Sequence, residues 1–341
     1  MDPQVIIIGA GIAGLTAAGA LAEKGHHVLI LEKEAQPGGH VAQWDRLFPS
    51  RRPGSEVLDH IRKIMDGRVE IKPGIRINGI IAHDQDFTVL TEEGTSYTGQ
   101  ALLIASGFRL FQAERKEEYG YGIYDNVITS AEVEAVFKQG KKLLTSKGTL
   151  PQRVALIHCV GSRDEKVGNL YCSKVCCVTG VKQAIEIKEQ LPQCEVFSFY
   201  MDMRMYDRHF EELYFEAQKQ WGVQFIRGRL SECSEAPDQS LIIKTEDTLT
   251  GRPLRMIVDL VILLVGFVPE PETGKLVEML GLSTGEDGFI LPSDEHYNDN
   301  LTTVPGVFLA GAVKGPATIS NTIADARAAA LQIDSWLKTK P

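Results

Sequence analysis

Four of the six cysteines of this chain fall within nineteen residues, Cys159, Cys172, Cys176 and Cys177, in the pattern C-x12-C-x3-C-C. Thiolates are soft anionic donors, and four converging from one loop can hold an iron–sulfur cluster, which takes four ligands and prefers sulfur. The same residue types permit other chemistries. Four thiolates also suit Zn2+, although zinc hooks come mostly as C-x2–4-C pairs, whereas here the first Cys stands alone and the last two are adjacent. A C-x3-C dithiol, Cys172 with Cys176, can serve as a redox pair beside a flavin, which leaves Cys159 and Cys177 without a task. Core packing is the common fate of a free Cys, but four in one polar loop argue against it. Cys194 and Cys233 read as isolated structural residues.

A second chemical signal lies at the start of the chain. The run GAGIAG, Gly9 to Gly14, follows an apolar strand pattern (QVIII) and opens a helical one, with Glu32 at the end of the next strand. Gly9 permits a tight turn, Gly11 lets the backbone approach a pyrophosphate, and Gly14 lets helix and sheet pack closely beside Ala13. The helix N-terminus favours the anion, and Glu32 is placed to accept hydrogen bonds from a ribose diol. The corresponding turn of a second nucleotide site is missing. After the strand RVALIH stands Cys159-Val-Gly-Ser-Arg, the helix that follows opens on Cys176-Cys177, and Gly161, Gly168 and Gly180 have the wrong spacing.

These residues need elements to hold them. The pattern predicts βαβ at residues 4–31, a helix in SEVLDHIRKIMD with Ser55 as N-cap, and a β-meander from Val69 ending in the buried strand before Ser106 and Gly107. A second set repeats the order. It has a helix in ITSAEVEAVF, the strand VALIH, the helix from Cys176, the strand EVFSFYMD, a helix in HFEELYFEAQKQW and the strand VQFIRG. A meander from Leu230 to Ile257 and the strand LVILLVG complete it, and VFLAGAV and a long final helix close the chain. The expected fold is α/β with two dinucleotide-binding, Rossmann-like domains. The first is split, residues 1–115 plus 288–341, and the second spans 116–287 and carries the cysteine loop.

Bulk properties narrow the classes. The chain has 341 residues, 43% hydrophobic and 24% charged, and a net charge of −9 that argues against nucleic acid as a partner. No segment approaches the length of a membrane span, and the N-terminal apolar run lacks the positive flank of a signal peptide. Clustered cysteines of this kind fit a cytoplasmic protein, where thiols stay reduced.

Glu32 to Gly39, EKEAQPGG, resembles the continuation found in FAD-binding folds of the glutathione and thioredoxin reductase type, and TVPGVFLAGA resembles their second FAD motif. That resemblance implies FAD, held also by Lys33, Gly38, Gly39, His40, Ser106, Gly107 and Gly311. The family places Asp after that last glycine. Here Ala312 replaces it, so the ribityl contact is expected from backbone or from Thr318, Ser320 or Asn321. CVGSRDEKVGNLYCSKVCC, GAGIAGL…EKEAQPGGHVAQWDRLFP and YMDMRMYDRHFEELYFEAQKQWGVQFIRGR together resemble the A subunits of heterodisulfide reductases over nearly the whole chain. In that family the four cysteines bind a 4Fe-4S cluster beside FAD, and the Lys five residues after the last Cys, Lys182 here, sits near flavin N5.

The chain departs from the archaeal members in lacking their extra ferredoxin-like cysteine sets. It is similar to the compact A-type subunits of bacterial heterodisulfide-reductase-like complexes and to that of the quinone-interacting membrane-bound oxidoreductase. A single cluster leaves flavin-based electron bifurcation without a second outlet. The resemblance implies an oxidoreductase that passes electrons between flavin and cluster in cytoplasmic sulfur or disulfide metabolism. It implies a homodimer working with other iron–sulfur and disulfide-active subunits. The alternatives are a self-contained pyridine-nucleotide–disulfide oxidoreductase using Cys172 and Cys176, and a redox-inert scaffold.

Overall fold

The computed structural model describes residues 3–65, 67–84 and 86–339. The chain divides into two compact units, one of residues 1–42, 54–109 and 268–341, the other of residues 43–53 and 110–267. In the first, four-residue runs such as VIII, VLIL and ALLI are apolar without alternation, the mark of strands buried on both faces. They form a parallel five-stranded sheet in the order Val307–Leu309, Ala101–Ile104, Val5–Ile8, Val28–Leu31, Val69–Lys72. The chain moves outward through Val28–Leu31 and Val69–Lys72, then returns to the other side of Val5–Ile8. The strand order therefore reverses between Val5–Ile8 and Ala101–Ile104, where α/β sheets open a crevice for ligands. Helix Ile12–Glu23 packs on helix Ile319–Thr339 and helix Gly54–Ile64. A three-stranded antiparallel meander, Ile77–Ala82, Phe87–Thr91 and Ser96–Gly99, adds Ile80, Phe87 and Val89 to the core.

The second unit repeats this order. Its parallel sheet runs Val127–Thr129, Leu260–Val265, Arg153–Val160, Glu195–Tyr200, Gln224–Arg227. Its meander is Leu230–Glu235, Leu241–Asp247 and Arg252–Val258. Here the order reverses between Arg153–Val160 and Leu260–Val265. At that point the register slips between Ile157 and Val160, and Cys159 takes a φ of +59°. A bulge re-aims the side chain it carries. The sequence thus delivers the first cysteine of the motif at the crevice of the second sheet.

Four local expectations shift. Residues 268–287, expected in the second domain, lie in the first unit, because Leu276 and Leu280 of helix Pro271–Leu280, with Leu282, join the core of Ile6, Ile80 and Val89. Residues 43–53 go the other way. Their short antiparallel pair is tied to the second unit by Arg51–Glu216 at 2.9 Å and by the edge of Phe48 on Phe210 at 5.6 Å. The strand expected through VFLAGAV is only Val307–Leu309, followed by a 3-10 turn at Gly311–Lys314, and Ser55 lies inside a helix that begins at Gly54.

Candidate functional site

The first unit builds a cradle from its glycines. A side chain on Gly9, at φ +105°, would stand 2.5 Å from the Ala105 carbonyl oxygen, and one on Gly14 would stand 1.9 Å from that of Gly9. Turn, neighbouring strand and helix therefore close on one another only without Cβ atoms. Gly11 has nothing within 4 Å of where its Cβ would be, so its face is open. It is also the N-cap of helix Ile12–Glu23, which has neither a side-chain cap nor an acid in its first turn. The free N–H groups there can receive an anion. Gly39, at φ +55°, crosses Gly11 so closely that a Cβ would lie 3.1 Å from the Gly11 Cα. Gly38 donates its N–H to Ala10 at 2.8 Å.

Glu32 does a structural job first. It is buried, and its carboxylate accepts the Ala10 N–H at 2.6 Å and the Glu34 N–H at 2.8 Å, clamping the glycine turn. Each oxygen keeps a second lone pair that a ribose hydroxyl can use. Lys33 pairs with Glu270 at 2.9 Å and Glu272 at 3.3 Å. His40 stacks on Phe108 at 4.4 Å and donates Nε2–H to its carbonyl at 2.9 Å, while burial holds its pKa below the usual value. Ser106 shares a 2.8 Å hydrogen bond with Thr273, and Gly107 turns at φ +73°.

At the C-terminal motif Gly311, at φ +77°, lies against Ala13, whose Cβ would be 2.7 Å from a Cβ added at 311. Ala312 is buried. Thr318 accepts the Asn321 N–H at 3.2 Å at the start of helix Ile319–Thr339, leaving Ser320 and Asn321 exposed on the first turn. The acid missing at 312 is met by one that sequence reasoning missed. Asp325 accepts the Gly311 N–H at 2.6 Å, and its other oxygen takes Asn300 and Lys314, each at 2.7 Å. Nothing in its spacing marks it, since it is one polar residue among many on a long helix.

The cysteine loop sits at the crevice of the second sheet. Cys159 is at the bulge, Cys176 and Cys177 open helix Cys176–Gln190, and all three are buried, while Cys172 is half-buried in the loop between. The sulfurs of Cys159 and Cys176 lie 3.8 Å apart, and donor atoms of His158, Cys176 and Cys177 gather within 4.8 Å. Cys172 is outside that group, and its sulfur accepts the Lys174 N–H at 3.3 Å. Cys177 accepts the Arg204 N–H at 3.4 Å. All six cysteines are free thiols, and the close pair is Cys159 with Cys176, whereas the alternative dithiol reading had paired Cys172 with Cys176.

The loop is fastened from several sides. Asn169 donates to the Gly161 carbonyl at 2.8 Å, Tyr171 to that of Phe267 at 2.8 Å, and Ser173 accepts the Phe267 N–H at 2.9 Å. Buried Asp164 pairs with Lys116 at 2.8 Å and Arg229 at 2.5 Å. The basic residues of the loop differ in use, since Arg163 is held by Asp202 at 2.7 Å and Lys166 projects into solvent.

Local chemistry separates these thiols from ordinary ones. A hydrogen bond from Cys176 holds Cys177 down to about 4 against the opposing effect of burial, with His158 and the Arg204 N–H adding to the stabilisation. The same thiol lowers Cys159 to about 7, and Cys176 itself is raised. Burial chiefly pushes Cys194 to about 11, with Asp259 and Glu195 adding and Lys188 opposing, and Cys233 to about 12, with Glu235 adding. Thiolate is the form that binds metal, so the donor set fits an iron–sulfur cluster in kind, and the N–H···S bonds are of the type that surrounds such centres. Cys159 and Cys176 stand closer than ligands on different irons, so seating a cluster would part them.

Lys182 has close partners within its own unit. It is 1% exposed, and its ammonium donates to the Arg46 carbonyl at 2.9 Å and to Glu134 at 2.5 Å, with Glu186 at 3.3 Å. Glu134 also accepts from Gln183 at 2.7 Å and from the Asp45 N–H at 3.1 Å. The charge expected at flavin N5 is thus enclosed by two carboxylates and a carbonyl of its own unit.

Residues 3–332 match the family described as pyridine nucleotide-disulphide oxidoreductase. Among curated relatives, the A subunit of the H(2):CoB-CoM heterodisulfide,ferredoxin reductase of Methanothermobacter thermautotrophicus is 41% identical over 74% of this chain and 38% of its own length. The A iron-sulfur subunit of the CoB--CoM heterodisulfide reductase of Methanocaldococcus jannaschii is 33% identical over 97% of this chain and 64% of its own length. The chain therefore spans less than two thirds of these relatives. The second alignment, at 422 positions, exceeds the 341 residues of the chain, so that relative carries internal insertions absent here. Thioredoxin reductases share the fold. The Lactococcus lactis enzyme superposes with a TM-score of 0.70 at 21% identity, covering 99% of this chain and all of that one. The T. acidophilum enzyme gives 0.68 at 20%, covering 99% of each.

Proposed function

Because the chain belongs to the pyridine nucleotide-disulphide oxidoreductase family, we propose that it is the FAD- and 4Fe-4S-bearing electron-transfer component of a heterodisulfide-reductase-type complex. The observation that carries this reading is the cysteine motif itself. It stands at the sheet crevice where the second glycine turn of such a protein would bind a nicotinamide nucleotide, with two of its thiols biased toward thiolate. Cys159, Cys172, Cys176 and Cys177 would hold the cluster, and the cradle of Gly9, Gly11, Gly14, Glu32, Gly39 and Gly311 would hold FAD. Bound there, the two groups supply two-electron and one-electron chemistry respectively.

The chain's own residues fix positions. Glu32 locks the glycine turn, so the open N–H groups of helix Ile12–Glu23 need no rearrangement to meet a pyrophosphate. The Lys174 and Arg204 N–H groups hold two of the sulfurs in place. The names of the relatives support partner subunits. A homodimer and work in cytoplasmic sulfur or disulfide metabolism belong to the same proposal. Among the described residues no helix is long and apolar enough to cross a membrane.

Anaerobic purification followed by iron, sulfide and flavin counts tests the reading, with EPR after dithionite. The expected result is about four irons and four sulfides per flavin and a reduced-cluster signal. Zinc, or no metal with the cysteines disulfide-bonded, overturns it. A second reading is favoured by the 3.8 Å approach of Cys159 to Cys176, which suits a redox dithiol in a self-contained disulfide oxidoreductase. Rapid reduction of the isolated flavoprotein by NAD(P)H, with a dithiol that closes and opens, would select it.

A further inference from the structure

The thiols do not sit alone at the end of strand Arg153–Val160. His158, the residue before Cys159, is 6% exposed, and its ring lies within the 4.8 Å group formed with Cys176 and Cys177. Two independent features hold the ring in place. Its Nε2 lies 2.7 Å from the hydroxyl of Ser198, a fully buried residue on the adjacent strand Glu195–Tyr200. Gly180, inside helix Cys176–Gln190, leaves room for it. A Cβ at that position would stand 3.0 Å from both Cε1 and Nε2 of His158 and 2.5 Å from Leu264. Helix interiors disfavour glycine, so the space given to this imidazole has a cost.

The other ring nitrogen, Nδ1, is buried and has no hydrogen-bond partner among the described residues. A buried polar atom in that state calls for an acceptor. The acceptors at hand are sulfurs. With the Ser198 hydroxyl donating to Nε2, the neutral ring must carry its proton on Nδ1.

We propose that His158 is a positioning residue of the iron–sulfur centre, oriented by Ser198 so that its Nδ1–H donates to a ligand sulfur, that of Cys177 first. The inference rests on the cluster reading above. A donor to a ligand sulfur stabilises the reduced, more negative state of the centre, so it raises the reduction potential. No change in the ring's own protonation is needed.

The experiment is an EPR-monitored redox titration of the anaerobically prepared protein, with iron and sulfide counted for each variant. His158→Leu is expected to keep its iron and to lower the ratio of reduced to oxidised cluster about tenfold at fixed ambient potential, a shift of ~59 mV for one electron. His158→Gln, which retains an N–H donor, should recover part of the shift, and Ser198→Ala, which frees the ring, should fall between. An iron-replete His158→Leu protein with the wild-type potential overturns the proposal. If His158→Leu holds no iron, Ser198→Ala decides, since a lowered potential there supports the role and an unchanged one overturns it. A wild-type protein without iron defeats the cluster reading itself, and the iron count reveals that before any variant is titrated.

Discussion

Replacing Glu186 by Gln should stabilise the protein, and increasingly so as the pH rises. Glu186 is 3% exposed, its carboxylate lies 3.3 Å from the Lys182 ammonium, and neither of its oxygens has a hydrogen-bond partner among the described residues. Glu134 by contrast accepts from Lys182, Gln183 and the Asp45 N–H, so it is the better solvated counter-ion of the pair. Burial pushes the Glu186 carboxyl from 4.5 up to about 7, with Lys182 pulling it down and Glu134 pushing it further up. The folded protein therefore holds a proton that the unfolded chain releases at lower pH. Stability is intact below the unfolded value of 4.5 and is lost as the pH rises through about 7. A shift of this size corresponds to about 3 kcal/mol. For a domain of this size that is roughly 6 to 12 °C in Tm. Thermal unfolding of wild type and Glu186→Gln between about pH 5 and pH 8, with cofactor loading matched, reads it directly. The Tm gap should be small at the acid end and widen by most of that amount in favour of the variant. A gap that does not change with pH, or that closes as pH rises, refutes the assignment of a proton to Glu186.

Gly14→Ala would place a methyl 1.9 Å from the Gly9 carbonyl oxygen. Because backbone must move to admit it, flavin should be lost from the purified protein, seen as missing visible absorbance, at a stability cost of about 1–3 kcal/mol. Asp325→Asn removes the charge that holds the Gly311 N–H and Lys314. Flavin affinity measured by fluorescence titration should weaken by about tenfold, and an unchanged Kd would confine Asp325 to the fold. Serine at Cys159, Cys172, Cys176 or Cys177 should lower the iron-to-flavin ratio, while alanine at Cys194 or Cys233, whose buried thiols are raised to about 11 and about 12, should leave it intact. Iron loss from the latter two alone would relocate the metal site.

The sequence by itself determined the two parallel sheets, the glycine cradle and the place of the cysteines. These rest on local physics. An unbroken apolar run such as LVILLV must be covered on both faces, and Gly9 and Gly14 are required because any Cβ would strike backbone. The position of Cys159 after VALIH follows from its strand. What only the tertiary structure decided are pairings between residues far apart in the chain. From sequence Lys182 is only a cation expected beside flavin, and only folding sets it against Glu134 and the Arg46 carbonyl. Asp325 reaches Gly311, His158 finds Ser198, and Leu276 carries its helix into the first unit by the same means. A buried charge or donor is stable only with its partner in place, and the sequence states the need for a partner without naming which residue answers it.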